Sequence, residues 1–294
     1  MKNRITSLMY RLAFPTDSIE EIANAADKLY TSRELSSAFE SIVKRYDETE
    51  FCDYMQMLED MKALSQKAKI HEYTGAILLL LAMCDTLKKR YEERGISEEI
   101  YYGTISDLKY KNEECRLLFD VSGTFVAPWF PGFFRLERFA LGRLQFEIIK
   151  LGLDCECKGV KLTRDNNAIN VHIPRTGTRL DHREVVASYD RAKEFFKDHF
   201  KDQPTVFACH SWLLYPWNES VLAPTSNLYA FYHDFTIVAQ GDNEKHNDAW
   251  RLFDCVFDGD VQKLPRDSSL RRAYAERIES GLPTGWGMGV FIKS

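Results

Sequence analysis

The sequence predicts an α+β fold, in which a helical N-terminal domain, residues 1–120, precedes a more α/β-like domain, residues 121–294. Two observations lead to this prediction. Apolar residues recur at helical spacing up to about Phe119, and strand-like alternation with intervening helices begins after Val121. Between them, the aromatic segment 122–134 contains prolines and glycines that interrupt regular structure.

Two capping boxes predict where early helices begin. Asp17 is followed three residues later by Glu20, and Thr31 is followed in the same way by Glu34. The first side chain of such a box accepts a hydrogen bond from a backbone N–H inside the helix, and the acidic side chain reaches back. We therefore expect helices to start at Asp17 and at Thr31.

The later helices are predicted from apolar spacing and end signals. The helix Tyr73–Arg94 should end at Gly95, and Ser97 should begin the next one. The apolar run 76–84 is too short for a bilayer, which takes roughly 20 residues, so it indicates a buried helix. Another helical face is carried by Phe51, Met55, Leu58, Met61 and Leu64.

The second half alternates strands and helices. In segment 141–149, Leu144, Phe146 and Ile148 share one face, as expected of a strand. Helices are predicted over 182–200, from Asn227 onward, and over 269–279, and further strands over 168–173, 206–213, 235–240 and 286–293.

Composition excludes several classes. With 45% hydrophobic and 28% charged residues the chain is globular, and a net charge of −5 argues against nucleic acid as a partner. Seven cysteines at irregular spacing favour a reducing compartment, and the N-terminus lacks signal-peptide features, so we expect a cytoplasmic protein without a membrane partner. Cys155 and Cys157 have no second pair at zinc spacing, so we read them as the end of a strand or a turn and expect no metal.

The segment between strand 168–173 and the helix from His182 is the strongest local motif. A loop that precedes a helix presents unpaired backbone N–H groups, which suit an anion such as a diphosphate. Additional donors come from the side chains of Arg175, Thr176, Thr178 and Arg179, around Gly177. The alternative is a plain connection with solvated arginines, in which the Asp181 carboxylate occupies the helix end.

Several segments resemble a bacterial acyltransferase family that has a helical N-acyltransferase N-terminal domain and a GNAT-like C-terminal domain. Their order fits the family, and with the helical front they cover nearly the whole chain. The segments are LGRLQFE (141–147), HIPRTG (172–177), CHSWLL (209–214), PTSNLYAFYHDF (224–235), LPRDSSLRRA (264–273) and GWGMG (285–289).

The resemblance implies a mixed sheet in which two neighbouring parallel strands, 169–173 and 206–213, splay apart around acyl-CoA. Backbone groups such as those of Ile173 would hold the pantetheine arm, and the helix from Asn227 would flank it. The diphosphate would lie on Arg175, Thr176, Gly177, Thr178 and Arg179. The loop departs from the superfamily pattern, because Arg179 stands where a second small residue is usual.

Acyl transfer to an amine needs a base for the amine and a proton for the departing thiolate. Glu147, His172 and His210 are candidate bases, and Tyr232 or Tyr229 a candidate acid. Tyr232 lies five residues after Asn227, two short of the familiar tyrosine. Each candidate has a structural alternative: the histidines hydrogen-bond in the core, Glu147 pairs with Arg143, and the tyrosines pack.

Cys209-His210-Ser211 invites a hydrolase hypothesis, which strand geometry disfavours. Adjacent residues on a strand point to opposite faces, so Cys209 and His210 are badly placed to pair, and Ser211 shares the face of Cys209.

The sequence therefore predicts an acyl-CoA-dependent N-acyltransferase, with acetyl-CoA as the simplest donor. A small-molecule or peptide amine would bind beside Trp212 and Tyr215, and the aromatic segment 129–134 is an alternative wall for a larger acyl pocket. A non-catalytic CoA-binding or regulatory protein is the alternative function, since a fold does not determine its chemistry. The helical half as a protein-interaction module is a third hypothesis.

Overall fold

The computed structural model describes residues 2–246 and 248–293 and confirms the α+β class. The chain divides into two compact units, Met1–Ala140 and Leu141–Ser294. This division falls later than the predicted change at Val121, because the aromatic segment that follows packs inside the first unit. There the Tyr46 hydroxyl donates to the carbonyl of Phe134 at 3.0 Å, and the two rings meet edge to face at 5.4 Å.

The first unit is built around one apolar helix, α5. Its residues Ile77–Leu81 are almost fully buried, as the apolar run predicted, because every side of the helix faces another helix. The elements are α1 (Lys2–Arg11), α2 (Thr16–Leu29), α3 (Arg33–Glu48), α4 (Tyr54–Lys67), α5 (Glu72–Glu93), α6 (Glu98–Ile105), α7 (Asp107–Phe119), a 3₁₀ turn (Ala127–Trp129), α8 (Pro131–Phe134) and the short strand β1 (Arg138–Ala140).

Both predicted capping boxes are misplaced. Helix α2 begins one residue before Asp17, after Pro15, and Asp17 sits in its first turn, where its carboxylate accepts from the Ser18 N–H. At α3 the cap is Ser32, whose hydroxyl accepts from the Leu35 N–H at 3.2 Å. Thr31 instead donates to a carbonyl of the preceding helix. Competing side chains next to each other made these starts ambiguous in the sequence.

The predicted inner face of α4 is wrong in part. The helix begins at Tyr54 with Asp53 as its cap, so Phe51 lies outside it and is exposed, and Met55 faces solvent. Met57 replaces Met55 on the buried face. The end of α5 at the left-handed Gly95 and the Ser97 cap of α6 are confirmed.

The second unit contains a mixed sheet in the order β2-β5-β6-β8-β7, in which β5 and β6 run parallel and the other neighbouring strands run antiparallel. A separate hairpin is formed by β3 and β4. The elements are β2 (Gln145–Lys150), β3 (Cys155–Cys157), β4 (Val160–Leu162), β5 (Asn167–His172), α9 (His182–Phe195), β6 (Thr205–Ser211), α10 (Asn218–Val221), α11 (Asn227–His233), β7 (Thr236–Asn243), α12 (Ala249–Phe253), α13 (Ser269–Glu279) and β8 (Thr284–Lys293), with 3₁₀ turns at Lys197–Phe200, Trp212–Leu214 and Val261–Lys263.

Most predicted elements of this half are confirmed, and two end earlier than expected. The predicted helix 182–200 ends at Phe195, and the predicted strand 206–213 ends at Ser211; a 3₁₀ turn continues each. Helix α12 was not predicted, because a helix of five residues is too short to show a hydrophobic period.

Strands β5 and β6 part after a short contact. Their ladder pairs Ile169 with Phe207 and Asn170 with Ala208, and it extends no further among the described residues. Beyond it, His172 stays paired with β2 and Ser211 stays paired with β8. The carboxyl ends of the two parallel strands therefore follow different neighbours.

The two faces of the sheet differ in character. On the aromatic face, Phe207 and Phe291 stack at 4.7 Å and pack against Tyr189 of α9 at 5.3 and 4.8 Å. The opposite face is apolar at one end, where the β3–β4 hairpin covers Ala168, Val206, Ala208 and Val290. Its other end, which we call the polar face, carries Glu147, Asn170, His172 and His210.

None of the helices in residues 2–246 and 248–293 combines the length and the apolar composition that crossing a membrane requires.

Candidate active site

Two of the sequence-predicted bases meet on the polar face. The antiparallel register places Glu147 opposite Asn170 and Gln145 opposite His172, so alternation brings Glu147 and His172 to the same side. Nε2 of His172 lies 2.6 Å from Oε1 of Glu147, and Nδ2 of Asn170 donates to the same oxygen at 3.2 Å. Both paired side chains are mostly buried, at 21% and 16% exposure. An imidazole held by a carboxylate is an arrangement suited to proton transfer.

His210 lies on the polar face but in different surroundings. It is exposed near the end of β6, opposite Met288 of β8, and its ring lies on that of Trp286 with centroids 4.4 Å apart. Next to His210, the polar face therefore continues onto β8 with the aromatic side chain of Trp286. His210 is held by ring contact, whereas His172 is held by a carboxylate.

The loop between β5 and α9 has the geometry of an anion cradle. Gly177 adopts a left-handed φ of 75°, and the hydroxyls of Thr176 and Thr178 hydrogen-bond at 2.8 Å. In the described part of the chain, the backbone N–H groups of Arg175, Arg179 and Leu180 have no acceptor. The segment from Arg175 to Arg179 is largely exposed, so the N–H groups of Arg175 and Arg179 are available to a ligand, whereas Leu180 is buried.

The N-terminus of α9 itself is capped by the protein. The Asp181 carboxylate accepts from the Arg183 N–H at 2.9 Å, and this hydrogen bond lowers the pKa of Asp181. Asp181 therefore occupies the N-terminus of α9, as the alternative reading of the loop expected. The donors left for an anion belong to the preceding loop.

The arginine side chains of the loop differ in their partners. Arg175 forms an ion pair with Asp254 at 2.9 Å, and Arg271 of α13 binds the same carboxylate at 2.5 Å. The Arg179 side chain makes no ion pair among the described residues. An anion at the loop would therefore meet Arg179 unpaired and would compete with Asp254 for Arg175.

Helix α11 carries the candidate acid. It starts at Asn227 under a Ser226 cap, whose hydroxyl accepts from the Tyr229 N–H. Tyr232 is buried, and burial raises the pKa of its hydroxyl. The Tyr232 ring contacts that of His233, and among the described residues no contact joins Tyr232 to Glu147 or His172. The geometry therefore leaves Tyr232 apart from the carboxylate–histidine pair.

The Cys209-His210-Ser211 segment is not arranged for nucleophilic catalysis. Cys209 is buried on the aromatic face, and burial raises the pKa of its thiol to about 12. Ser211 caps the following 3₁₀ turn by accepting from the Leu213 N–H. A protonated thiol and a capping hydroxyl agree with the prediction that no hydrolase is built here.

The terminal GWGMG segment packs closely against the ring of Tyr215. A Cβ on Gly285 would lie 2.3 Å from the Tyr215 ring, so the glycine permits that ring to lie against β8. Its hydroxyl donates to Asp242 at 2.8 Å and accepts from Arg277 at 3.1 Å. Trp212 packs edge to face on Tyr274. Both rings therefore have packing partners, and an acceptor site beside Trp212 and Tyr215 stays a prediction.

The aromatic segment of the first unit is core. Phe130, Phe133 and Phe134 are almost completely buried there, so they contribute to packing, and their role as the wall of an acyl pocket stays a prediction.

Sequence reasoning missed three participants. Asn170 could have been found from the alternation Asn170-Val171-His172, which places two polar side chains on one face of an otherwise apolar strand. Trp286 was visible only as part of a motif, and Arg143 was considered only as a partner for Glu147. Among the described residues, no three His, Cys, Asp or Glu side chains are grouped to hold a metal ion.

Two family models match the chain in sequence order. The N-acyltransferase N-terminal domain matches residues 3–136, and the GNAT-like C-terminal domain matches residues 138–291. No curated protein is similar enough to the sequence to match it.

Solved structures with the same fold are acyltransferases in complex with CoA or an acyl-CoA. One, in complex with decanoyl-CoA and teicoplanin, has a TM-score of 0.74 at 21% identity and covers 97% of this chain and 86% of its own. A mutant acyltransferase in complex with octanoyl-CoA has a TM-score of 0.77 at 21% identity, covering 98% of this chain and 87% of its own. A third, with CoA and 10C-teicoplanin, has a TM-score of 0.76 at 21% identity, with coverages of 97% and 86%.

At this identity the solved structures show the fold, and the two matched domains, in the order that the sequence motifs implied, show the family. This chain belongs to the acyltransferases that carry an N-acyltransferase N-terminal domain before a GNAT-like C-terminal domain.

Proposed function

We propose that this acyltransferase moves an acyl group from an acyl-CoA thioester to an amine acceptor, directly and within a complex that holds both substrates. The observation that carries the proposal is the parting of β5 and β6 next to a loop with unpaired N–H donors. Backbone groups released by the parting, including those of Ile173, suit the amide-bearing pantetheine arm. The loop from Arg175 to Arg179 suits the diphosphate, and α11 from Asn227 would flank the arm.

His172 is the proposed base, and Glu147 orients it. In the tautomer that donates Nε2–H to Glu147, the basic nitrogen of His172 is Nδ1, which takes the proton from the attacking amine. The amine nitrogen bonds to the thioester carbon, the C–S bond breaks, and CoA leaves as a thiolate. The Glu147 carboxylate stabilises the imidazolium that forms, as acidic partners of catalytic histidines do. His210 is the alternative base on the same face.

The thiolate needs a proton, and Tyr232 is the proposed donor, with Tyr229 as the alternative. Burial raises the Tyr232 pKa, so this phenol stays protonated at neutral pH. A protonated phenol can donate where a thiolate develops.

Donor and acceptor remain to be chosen by assay. We take acetyl-CoA as the simplest donor, and the octanoyl- and decanoyl-CoA complexes of similar structures make medium acyl chains the alternative. The structure with decanoyl-CoA also contains teicoplanin, so acceptors larger than a simple amine belong in the assay beside small and peptide amines.

The test is initial-rate acyl transfer by the full chain with acetyl-, octanoyl- and decanoyl-CoA against these acceptors. We expect Glu147→Gln and His172→Ala to lower kcat by about 10²–10⁴-fold, the usual range for loss of general acid–base catalysis, with little change in KM for the thioester. Glu156→Gln is the matched control, because Glu156 is an exposed carboxylate on the β3–β4 hairpin. Binding of CoA by a wild-type protein that transfers nothing would overturn the proposal and favour the non-catalytic alternative.

A further inference from the structure

Arg143, which precedes β2, contacts both ends of the loop that follows β5. Its Nη1 donates to the carbonyl of Pro174 at 3.1 Å. Longer contacts of 3.5 Å run from Nη2 to the carbonyl of Thr178 and from Nε to the carbonyl of Arg179. A guanidinium has five donors in a planar fork and no acceptor, so it collects carbonyl oxygens and repels N–H groups.

These contacts fix the direction of the N–H groups in the loop. The peptide bonds here are trans, so each carbonyl points opposite to the N–H of the next residue. Turning the carbonyls of Pro174, Thr178 and Arg179 toward Arg143 turns the N–H groups of the following residues, Arg175, Arg179 and Leu180, away from it. All three N–H groups lack an acceptor among the described residues, as do those of Thr176 and Gly177 between them.

The backbone of Arg143 is itself anchored to α9. Its N–H donates to the Ser188 hydroxyl at 2.8 Å, and that hydroxyl donates to the Glu184 carbonyl at 2.8 Å. Ser188 is buried, and Gly142, at φ 93°, permits the close approach, since a Cβ there would lie 2.7 Å from the hydroxyl. The backbone of Arg143 is therefore held on α9, while its guanidinium binds the loop.

We propose that Arg143 is a positioning residue that orients the loop N–H groups toward the diphosphate of the acyl-CoA donor. The inference rests on the proposed function for its ligand. It assigns to Arg143 an effect exerted through the loop, so its geometry matters as well as its charge. A lysine, which is a point charge without the planar fork, should not replace it.

The experiment compares two ligands, of which only one carries the nucleotide with its diphosphate. Dissociation constants of CoA and of pantetheine, which lacks the nucleotide and its diphosphate, are measured by calorimetry for the full-length wild type, Arg143→Lys and Arg143→Gln. Both variants should bind CoA about tenfold to a hundredfold more weakly, which is the worth of one hydrogen bond to a charged group. Pantetheine affinity should be unchanged. Where transfer is observed, KM for acyl-CoA should rise and kcat should hold.

Arg164→Gln is the matched control, since Arg164 is an exposed arginine at the opposite end of β5. Equal weakening of both ligands, unchanged CoA binding by the variants, or full rescue by lysine would overturn the inference. A wild type that binds CoA but transfers nothing refutes the proposed function alone, and the binding comparison still decides the role of Arg143. A wild type that binds no CoA refutes both.

Discussion

The pairing of Glu147 with His172 is set by strand register, because the two residues are 25 apart in the sequence. A slip of one residue between β2 and β5 would turn Glu147 to the aromatic face and separate the pair. The site therefore depends on the apolar partners that fix this register, such as Phe146 opposite Val171. The carboxylate and the imidazole can meet because the register places both side chains on the polar face.

A substitution at Cys209 distinguishes direct transfer from transfer through a covalent acyl-enzyme. Burial raises its pKa to about 12, so the thiol stays protonated throughout the neutral range and becomes a thiolate only as the pH approaches that value. We expect Cys209→Ala to keep kcat/KM for acyl transfer within about threefold of the wild type, the effect of losing a small buried contact rather than a nucleophile.

The measurement is steady-state kinetics between pH 7 and pH 9, with thiol labelling of the native protein. Partly exposed Cys155 and Cys255 should react with the label well before Cys209. Loss of turnover in Cys209→Ala by more than a hundredfold at unchanged thermal stability would contradict direct transfer.

Among the elements, β8 shows how a motif shapes a site without touching a substrate. Its glycines at 285, 287 and 289 share one face and let Tyr215, Leu214 and Phe235 lie directly on the strand. The alternate positions carry Trp286 and Met288 to the polar face, beside His210. The strand is therefore closely packed on one side and contributes to the candidate site on the other.

Gly287 is the position where this packing is tightest. An added Cβ would lie 1.9 Å from the backbone oxygen of Leu214, and backbone cannot rotate away as a flexible side chain can. We expect Gly287→Ala to lower the free energy of unfolding by about 1–3 kcal/mol, the usual cost of overpacking, measured by urea titration.

Gly103→Ala is the control for this substitution. Gly103 is an exposed helical position whose added Cβ would make only ordinary contacts at 3.7 Å, so alanine there should stabilise by about 1 kcal/mol through helix propensity. If Gly287→Ala were as stable as the wild type, the close packing of the 3₁₀ turn on β8 would be wrong.

At the scale of the whole molecule, ligand binding should appear as added stability. A ligand at a hundred times its Kd adds about 2.7 kcal/mol to the folded state. For domains of 150–250 residues each kcal/mol raises Tm by about 2–4 °C, so acetyl-CoA should raise the apparent Tm by roughly 5–10 °C.

The comparison is with ADP, which carries a diphosphate but no pantetheine arm. The proposed cleft predicts a larger shift for CoA and acetyl-CoA than for ADP at equal concentration, read by differential scanning fluorimetry. Equal shifts for all three ligands would mean that the loop binds anions but that the parted strands bind no arm.

The amino-acid sequence predicted the class of fold, the order of the two domains and most elements, because the hydrophobic period and end signals such as Gly95 and Ser97 act locally. It also supplied His172 and Glu147 as candidates by residue type. It failed at α2 and α3, where neighbouring polar side chains compete to cap, and at Met55, whose face depends on where the helix begins.

The tertiary structure alone decided which candidates meet. Register joined Glu147, Asn170 and His172, and packing gave Trp212 and Tyr215 their partners Tyr274 and Asp242. It also turned Arg143 to the loop carbonyls, 31 to 36 residues away in the chain. Contacts between distant strands and loops have no local signature in the sequence, because they depend on which strands pair and on where paired strands separate.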